Sequence, residues 1–286
     1  MGARVVTAET QPHGFSPGLA ARLLLDDGRR VFVKAVSEAA NPDTPGIHRQ
    51  EARVLAAMPP AIPAPRLLWA YDDQGWVALG LEDVDGRHPH EPWTDRDLSL
   101  VVSAAIKMAR DLTPSPIEVD RTASYAFATG INGWRVARER NETRLDAWAL
   151  RHLGRLAELE SRAPDGAGGE TLLQFDMRAD NILIAGDRVY FVDWPWARTG
   201  AWWIDLLLMA PTVAMQGGPP PERFLERLDL VDVSRDSVDA VICAMAGYFV
   251  VHALEPPPPG IPTVRAFQAA LGRVAIGWLR DRLGWV

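Results

Sequence analysis

The stretch LLQFDMRADNIL, residues 172–183, places two aspartates and an asparagine between apolar residues. Asp176 is followed by Asn181 at an interval of five, and Asp193 ends the apolar run RVYFVD twelve residues later. The apolar flanks would bury these carboxylates, and a buried carboxylate needs a cationic or hydrogen-bonding partner. Two carboxylates and an amide oxygen suit a hard cation such as Mg²⁺. The pattern therefore predicts a cation site beside short strands.

A basic residue stands inside an apolar strand pattern far upstream. Lys34 lies in the middle of VFVKAV, where a lysine is not expected without an anionic partner. Glu51, on the next predicted helix, can supply that partner. The chain thus offers one cation from its first part and three oxygen donors from its later part.

The first part of the chain has the pattern of a small antiparallel sheet. Apolar runs at 20–25 and 30–36 flank LDDGRR, and runs at 67–71 and 76–81 flank DDQG. Both connecting segments are typical of hairpin turns. Between the hairpins, the apolar spacing of residues 46–58 predicts a helix, which the prolines of PPAIPAP end.

After VDGRHPHEP the pattern changes to helices. Thr94 is the predicted N-cap of a helix whose apolar stripe continues to Ala109. Further helices are predicted over residues 134–159, after Ser234 and after Pro262. A small sheet domain followed by a larger helical one is the simplest interpretation.

Composition narrows the class of protein and its partners. The chain has 286 residues, of which 48% are hydrophobic and 23% charged, as in ordinary globular proteins. Its net charge is −7 without a run of Lys or Arg, which argues against nucleic acid as a partner. The apolar run at 241–254 is too short to span a bilayer, and the N-terminus lacks a signal-peptide pattern. With Cys243 as its single cysteine, the chain fits a reducing cytoplasm, and no membrane contact is expected.

The motifs, taken in order, resemble the aminoglycoside phosphotransferase family of small-molecule kinases. That family carries an H-G-D-x-x-x-x-N catalytic loop and a D-W or D-F metal aspartate, and FDMRADN and VDWPWARTG are similar to them. The likeness extends from GFSPG to at least Asp205. It implies an α+β, protein-kinase-like, two-lobed fold. A small antiparallel-sheet lobe that binds nucleotide is expected over residues 1–85, and a larger, mainly helical lobe for catalysis and acceptor binding over residues 86–286.

The resemblance also implies a role for each motif residue. Asp176 would orient the substrate hydroxyl and accept its proton. Asn181 and Asp193 would hold Mg²⁺ against the β- and γ-phosphates of ATP. Lys34 would contact the α- and β-phosphates, and Glu51 would hold Lys34 by an ion pair. An amide suits the position of Asn181, because a third anion would add repulsion while an amide oxygen still binds metal.

Two segments take their expected roles from their place in the family pattern. HGFSPG, with Gly14 and Ser16, matches the nucleotide loop, although an ordinary hairpin turn is an equal alternative. LEDVDG matches the hinge, where the carbonyl of Glu82 and the N–H of Val84 would pair with the adenine edge. GTP is the alternative to ATP, because side chains at such a hinge carry little information about the base.

Two charged residues near the catalytic loop have further expected roles. Arg178 stands where protein kinases place a lysine that contacts the transferred phosphate, and a structural salt bridge with Asp180 or Asp205 is an equal alternative. Asp205 matches a family aspartate that braces the catalytic loop.

The family pattern is broken at two positions, where Gln174 and Phe175 replace the usual histidine and glycine. Because that histidine is mainly architectural, we expect retained activity with altered loop packing. The rival hypothesis, which Gln174 alone favours, is a catalytically weak nucleotide-binding pseudokinase with a scaffold or sensor role.

The acceptor is predicted to be the hydroxyl of a small molecule. Asp193 and Asp205 bracket only WPWARTGAWWI, without the long activation segment of a protein kinase. An acidic chain is compatible with an aminoglycoside or another antibiotic as the acceptor. The acceptor pocket is expected from the helices after Thr94 and from the C-terminal pair. The tryptophans of this segment are expected in the core, and the alternative is that one or two of them wall the pocket.

Overall fold

The computed structural model describes residues 2–11 and 18–286. Five strands within residues 5–82 form one antiparallel sheet in the order first, second, third, fifth, fourth. These strands are β1 Val5–Thr10, β2 Leu19–Leu25, β3 Arg30–Ser37, β4 Leu67–Asp73 and β5 Trp76–Glu82.

Both predicted hairpins form. Gly28 takes φ +83° in the turn between β2 and β3, and Gly75 takes φ +74° between β4 and β5. Positive φ costs glycine little, so these positions let the chain reverse tightly. The edge strand β1 is absent from the sequence prediction, because all of its residues are exposed and it has no buried face to produce an apolar alternation.

One helix, α1 (Thr44–Ala57), packs against β3 and β5. It begins two residues before the predicted start and ends before the prolines, as predicted. Its buried side carries Val54, Leu55 and Glu51. Because burial of the apolar residues fixes the rotation of the helix, it also sets the direction of the Glu51 side chain.

The rest of the chain is mainly helical around one large apolar core, in which Trp134, Trp194 and Phe127 are among the largest fully buried side chains. Its helices are α2 Asp95–Asp111, α3 Ala123–Thr129, α4 Gly133–Glu139, α5 Ala147–Glu160, α6 Ala163–Gly166, α7 Ile204–Met215, α8 Pro221–Leu225, α9 Arg235–His252 and α10 Val264–Leu283. Its short strands are β6 Thr171–Leu173, β7 Ile182–Ala185, β8 Arg188–Phe191 and β9 Arg198–Gly200.

Capping explains where two of the helices begin. The Thr94 side chain accepts a hydrogen bond from a first-turn amide of α2 at 3.2 Å, as predicted. The single helix predicted over residues 134–159 is wrong, since the structure has α4 and α5 there. Asn141 takes φ +50° after α4, and Asp146 caps α5 by accepting from Ala149 N at 2.9 Å. The apolar periodicity of the sequence continues across the gap between α4 and α5, so it gave no sign that a new helix begins after Asp146.

The predicted C-terminal helices form as α9 and α10, which pack along each other. Cys243 is fully buried in α9, and its Sγ donates to Leu156 O at 3.4 Å. Across residues 2–11 and 18–286, the helices are all too short or too polar to cross a membrane.

Two short antiparallel pairs carry the motif segment. β6 pairs with β9, and β7 pairs with β8. The loop from β6 to β7 contains one 3₁₀ turn, Ala179–Asn181. Val192 N, just after β8, donates to Asn181 O at 2.9 Å. The pairing of β7 with β8 therefore brings the two halves of the motif together.

Candidate active site

Lys34 of β3 lies between two carboxylates. Its Nζ is 2.9 Å from Glu51 Oε1 on α1 and 2.8 Å from Asp193 Oδ1 after β8. Glu51 is 1% exposed, so water does not stabilise the charge of its carboxylate, and the Lys34 ammonium stabilises it instead. Burial alone would lower the pKa of Lys34, but the charges of Asp193 and Glu51 outweigh it and raise that pKa above its ordinary value. Lys34 is therefore a fixed positive charge.

Asp193 is held in a defined orientation at the end of β8. Burial would raise its pKa, but the charge and the hydrogen bond of Lys34 prevail and keep that pKa below the ordinary value. Its backbone takes φ +66°, a left-handed conformation that aspartate adopts more readily than most residues. Asp193 is thus an anion whose Oδ1 accepts from Lys34 and whose Oδ2 can take a second cation.

The side chain of Asn181 closes the motif loop. Its Nδ2 donates to Asp176 O at 2.8 Å and to Asp176 Oδ2 at 3.2 Å. Because the amide nitrogen is used in this way, Oδ1 is the atom that can bind a cation. The 3₁₀ turn between the two residues accounts for the interval of five, because it returns the chain to the starting aspartate.

Asp176 has the most perturbed environment of the loop. Burial, together with the nearby charges of Asp193 and Asp180, raises its pKa to about 7, although the charge of Arg178 acts in the opposite direction. A carboxyl group with a pKa near neutrality can exchange a proton with a bound hydroxyl more readily than an ordinary aspartate.

Arg178 pairs with the acids of its own loop. Its Nη2 lies 3.0 Å from Asp180 Oδ2 and 3.5 Å from Asp176 Oδ2. Of the two salt-bridge partners offered by the sequence, Asp180 is therefore in contact with Arg178. Arg178 also lines the same cavity as Asp176. The pairing with Asp180 is therefore compatible with the predicted contact between Arg178 and the transferred phosphate.

Asp205, in the first turn of α7, braces the loop from behind. Its two oxygens accept from Gln174 N and from Phe175 N, each at 2.8 Å. Burial raises its pKa to about 6, while the two backbone donors act in the opposite direction. The carboxylate fixes the backbone just before Asp176, which is the position expected for a bracing residue.

A cavity of about 880 Å³ lies over these residues, and both the sheet and the helical part supply its walls. The C-terminal helices contribute to it, as predicted, but α2 does not, because its residues are absent from the lining and its apolar side faces the core. The sequence-predicted site residues that line the cavity are Lys34, Glu51, Glu82, Val84, Asp176, Arg178, Asn181 and Asp193.

The similarity of this chain to known proteins lies in its fold. No protein-family model and no curated protein matches the sequence. Among solved structures, a thermostable mutant of aminoglycoside phosphotransferase APH(4)-Ia, in a ternary complex with ADP and hygromycin B, superposes with a TM-score of 0.67 at 14% identity over 97% of this chain and 94% of that one. The chain has the fold of a small-molecule kinase.

Other solved structures extend the likeness within this kinase-like fold. Amicoumacin kinase hAmiN in complex with AMP-PNP, Ca²⁺ and Ami gives a TM-score of 0.60 at 12% identity, over 96% of this chain and 90% of that one. A choline/ethanolamine kinase family protein from Mesorhizobium loti gives 0.58 at 14% identity, over 96% and 92%. At these identities the likeness concerns the fold, and it confirms the predicted two-part α+β architecture.

Gln174 stands where the family pattern has histidine, and it links the loop to the segment after β8 that carries Asp193. Its Nε2 donates to Val192 O at 3.0 Å and to Asp193 O at 2.8 Å, while its Oε1 accepts from Asp176 N at 2.9 Å. A carboxamide can donate and accept at once, as a neutral imidazole can. The substitution therefore preserves a connection between Asp176 and Asp193, which the sequence alone did not show.

Phe175 occupies the position of the family glycine at an energetic cost. Its backbone takes φ +64°, which is unfavourable for a bulky residue. Its ring packs edge-on against Phe127 at 5.9 Å between centroids, and the Arg198 guanidinium lies 4.0 Å from its ring centroid. These contacts and the hydrogen bonds to Asp205 hold the strained conformation.

The hinge segment lines the cavity where the sheet ends. Val84 is buried, and its carbonyl accepts from Arg22 Nη2 at 3.4 Å. The Glu82 side chain pairs with Arg66 at 3.1 Å. Contact of either backbone with adenine stays a prediction. Gly14 and Ser16 of the predicted nucleotide loop lie outside the described residues.

The tryptophans after Asp193 divide between core and cavity. Trp194 and Trp203 are buried, and Trp202 is partly buried against the core. Trp196 is 38% exposed and lines the cavity. Core packing thus accounts for most of this cluster, and one member contributes to the cavity wall.

Proposed function

We propose that this chain belongs to the aminoglycoside phosphotransferase family and transfers the γ-phosphate of ATP to a hydroxyl group of a small molecule in the cytoplasm. The observation that carries the proposal is the contact of Lys34 Nζ with Asp193 Oδ1 at 2.8 Å, beside Asp176 and Asn181 in one cavity. A basic amine from the sheet and oxygen donors from the helical part converge there, as a triphosphate with its magnesium ion requires.

The donor set fits Mg²⁺ that arrives with nucleotide. Asn181 Oδ1 and the carboxylate of Asp193 are hard oxygen ligands. Among the described residues, no three His, Cys, Asp or Glu side chains form a metal cluster of their own. Mg²⁺ commonly takes one or two protein ligands together with substrate phosphates, so this sparse set supports binding of a nucleotide–metal complex. The bound ion would neutralise charge on the β- and γ-phosphates.

The proposed reaction is an in-line displacement at the γ-phosphorus. The acceptor oxygen forms a bond to phosphorus while the bond to the β–γ bridging oxygen breaks, and ADP leaves. Asp176 orients the acceptor hydroxyl and takes up its proton. Lys34, held by Glu51, contacts the α- and β-phosphates, and Arg178 contacts the transferred phosphate.

The segment after Asp193 supports a small acceptor over a polypeptide. Eleven residues separate Asp193 from Asp205, and within them β9 is paired with β6. Thr199 is the single Ser, Thr or Tyr of this segment, and its backbone lies in β9. A paired segment of this length offers little room for a peptide-binding platform.

A phosphate-transfer screen with ATP and Mg²⁺ tests the proposal. Small hydroxyl compounds, including antibiotics and metabolic alcohols, are incubated with the enzyme, and products are identified by mass. Slow hydrolysis of ATP without acceptor is measured in parallel. We expect transfer to at least one compound and ATP hydrolysis that Asp176→Asn abolishes. Nucleotide binding with neither activity would favour the pseudokinase hypothesis instead.

A further inference from the structure

Part of the cavity lies beyond the phosphate-transfer residues. We call it the acceptor half and define it by the cavity residues on α3, around β9 and on α9 and α10. Its aromatic lining includes Tyr125, Trp196, Tyr248, Phe249 and Phe267. Tyr125 is 67% exposed and Trp196 is 38% exposed, although both are large rings. Exposed aromatic faces around a concavity favour a ligand with an apolar or ring-bearing body.

The acidic side chains that line the cavity lie outside the acceptor half and are paired with basic residues. Every acidic residue among the described lining residues belongs to the hinge, α1, the motif loop or the end of β8. Each of these acids has a basic partner: Glu51 and Asp193 pair with Lys34, Glu82 with Arg66, Asp83 with Arg22 and Arg30, and Asp176 and Asp180 with Arg178.

Two arginines of the acceptor half lack such acid partners. Among the described residues, neither Arg121 nor Arg198 forms an ion pair with a carboxylate. The Nε of Arg198 donates to Trp196 O at 3.0 Å, and its guanidinium lies over the ring of Phe175. The carbonyl of Arg121 accepts from Thr199 N at 3.1 Å, which places residue 121 beside β9 and therefore beside Arg198.

The two arginines influence each other electrostatically. Burial and the charge of Arg121 lower the pKa of Arg198 to about 10, and the charge of Asp205 opposes this only in part. Both oxygens of Asp205 already accept backbone hydrogen bonds. Arg198 therefore stays charged at neutral pH near a second positive charge, and among the described residues no acid lines the cavity on this side.

We infer that the acceptor of the proposed phosphotransferase carries an apolar or aromatic body and an anionic group such as a carboxylate, which Arg121 and Arg198 bind. This inference rests on the proposed function. Planar guanidinium groups bind carboxylates through paired hydrogen bonds. A polycationic aminoglycoside would instead place its amines against two arginines, with the nearby acids already paired. The Phe175 ring contacts Arg198, and Phe175 directly precedes Asp176 in the sequence. An anion bound by Arg198 would therefore also orient the acceptor hydroxyl toward Asp176.

A matched pair of fluorescent dyes tests the anion site without turnover. 8-Anilinonaphthalene-1-sulfonate has a ring body with an anionic group, and N-phenyl-1-naphthylamine has the same rings without it. Both are titrated into the full-length protein with saturating Mg²⁺ and AMP-PNP. In the double variant Arg121→Gln/Arg198→Gln we expect affinity for the sulfonate to fall about tenfold or more, since charge-assisted hydrogen bonds are lost. Affinity for the neutral dye should stay within about twofold.

The control variant is Arg110→Gln/Arg151→Gln, which removes the same charge from exposed positions on α2 and α5. It should leave both affinities unchanged. An equal loss of sulfonate affinity in the control would mean that the change in net charge explains the effect, and it would overturn the inference. Unchanged sulfonate affinity in Arg121→Gln/Arg198→Gln, or an equal loss for both dyes, would overturn it as well.

Affinity for AMP-PNP separates this inference from the proposed function. If Arg121→Gln/Arg198→Gln weakens AMP-PNP binding but not sulfonate binding, the arginines serve the nucleotide phosphates and the inference is wrong, while the phosphotransferase proposal stands. If the wild-type protein fails to bind AMP-PNP with Mg²⁺, the proposed function is wrong. The dye titrations on nucleotide-free protein then still decide whether the two arginines bind an anion.

Discussion

The two halves of the cavity balance their charges in opposite ways. The phosphate half consists of the cavity residues on β3, α1, the hinge, the motif loop and the end of β8. There the Lys34 ammonium lies between Glu51 and Asp193, and the remaining acids belong to the motif loop and the hinge. In the acceptor half, Arg121 and Arg198 have no acid partner among the described residues. In the proposals made above, the first half binds a cation that arrives with phosphates, and the second half binds an anion. A substitution in one half should therefore impair ligand binding or turnover in that half and leave ligand binding in the other half unchanged.

The largest expected effect lies at the boundary between the halves. Replacement of Asp176 by Asn removes the proton acceptor and should lower turnover by roughly 10²- to 10⁴-fold, with nucleotide affinity nearly unchanged. Single-turnover kinetics and AMP-PNP titration measure the two quantities. Asp187→Asn, at an exposed turn residue, is the control. Wild-type turnover in the Asp176 variant would remove this residue from the mechanism.

The ion pair of the phosphate half can be broken from one side. Lys34→Met leaves Glu51 buried without its cation and should lower the free energy of unfolding by about 3 kcal/mol. The double variant Lys34→Met/Glu51→Gln should recover part of that loss, because the uncompensated charge is gone. Urea unfolding of both single variants and the double variant gives the coupling. Strict additivity would show that the two side chains are not energetically linked.

A smaller loss is expected at the connection between loop and strand. Gln174→Leu removes the partner of Asp176 N and of two carbonyls, and should lower the free energy of unfolding by about 2 kcal/mol and reduce turnover. Gln174→His restores the residue of the family pattern and should recover at least half of both. Chemical denaturation and initial rates check this. Wild-type stability in the Leu variant would mean that these hydrogen bonds do not hold the loop.

The smallest effect is expected in the acceptor half. Trp196→Ala should weaken binding of the neutral dye several-fold, since a ring wall is lost, and change the free energy of unfolding by no more than about 0.5 kcal/mol. Affinity for AMP-PNP is the internal control and should not change. A parallel loss of nucleotide affinity would place Trp196 in the phosphate half and contradict the separation of the two halves.

The phosphate half could be predicted from sequence because its chemistry restricts residue types. A lysine in an apolar strand needs an acid, and the aspartate–asparagine interval needs a turn that returns the chain. The structure brings Lys34, Glu51 and Asp193 into direct contact, and Asn181 onto Asp176. The four hairpin strands of the sheet, α1 and the C-terminal helices could be predicted because turns, prolines and apolar periods mark them.

The arginine pair of the acceptor half could not be predicted, because the two residues meet only through tertiary contacts. Arg121 and Arg198 approach each other through the hydrogen bond from Thr199 N to Arg121 O, which no local pattern encodes. The role of Gln174 was also hidden, since the sequence shows a lost histidine but not the replacement hydrogen bonds. The boundary between α4 and α5 depends on a cap that an apolar period obscured.

Binding of AMP-PNP with and without Mg²⁺, measured by calorimetry on the wild-type protein and on Asp193→Asn, tests the central claim most directly. We predict that Mg²⁺ tightens binding to the wild-type protein by about tenfold or more, equivalent to about 1.4 kcal/mol, and that Asp193→Asn loses this gain. Equal affinity with and without Mg²⁺ in the wild-type protein, or an undiminished gain in the variant, would contradict a nucleotide–magnesium site at Asp193.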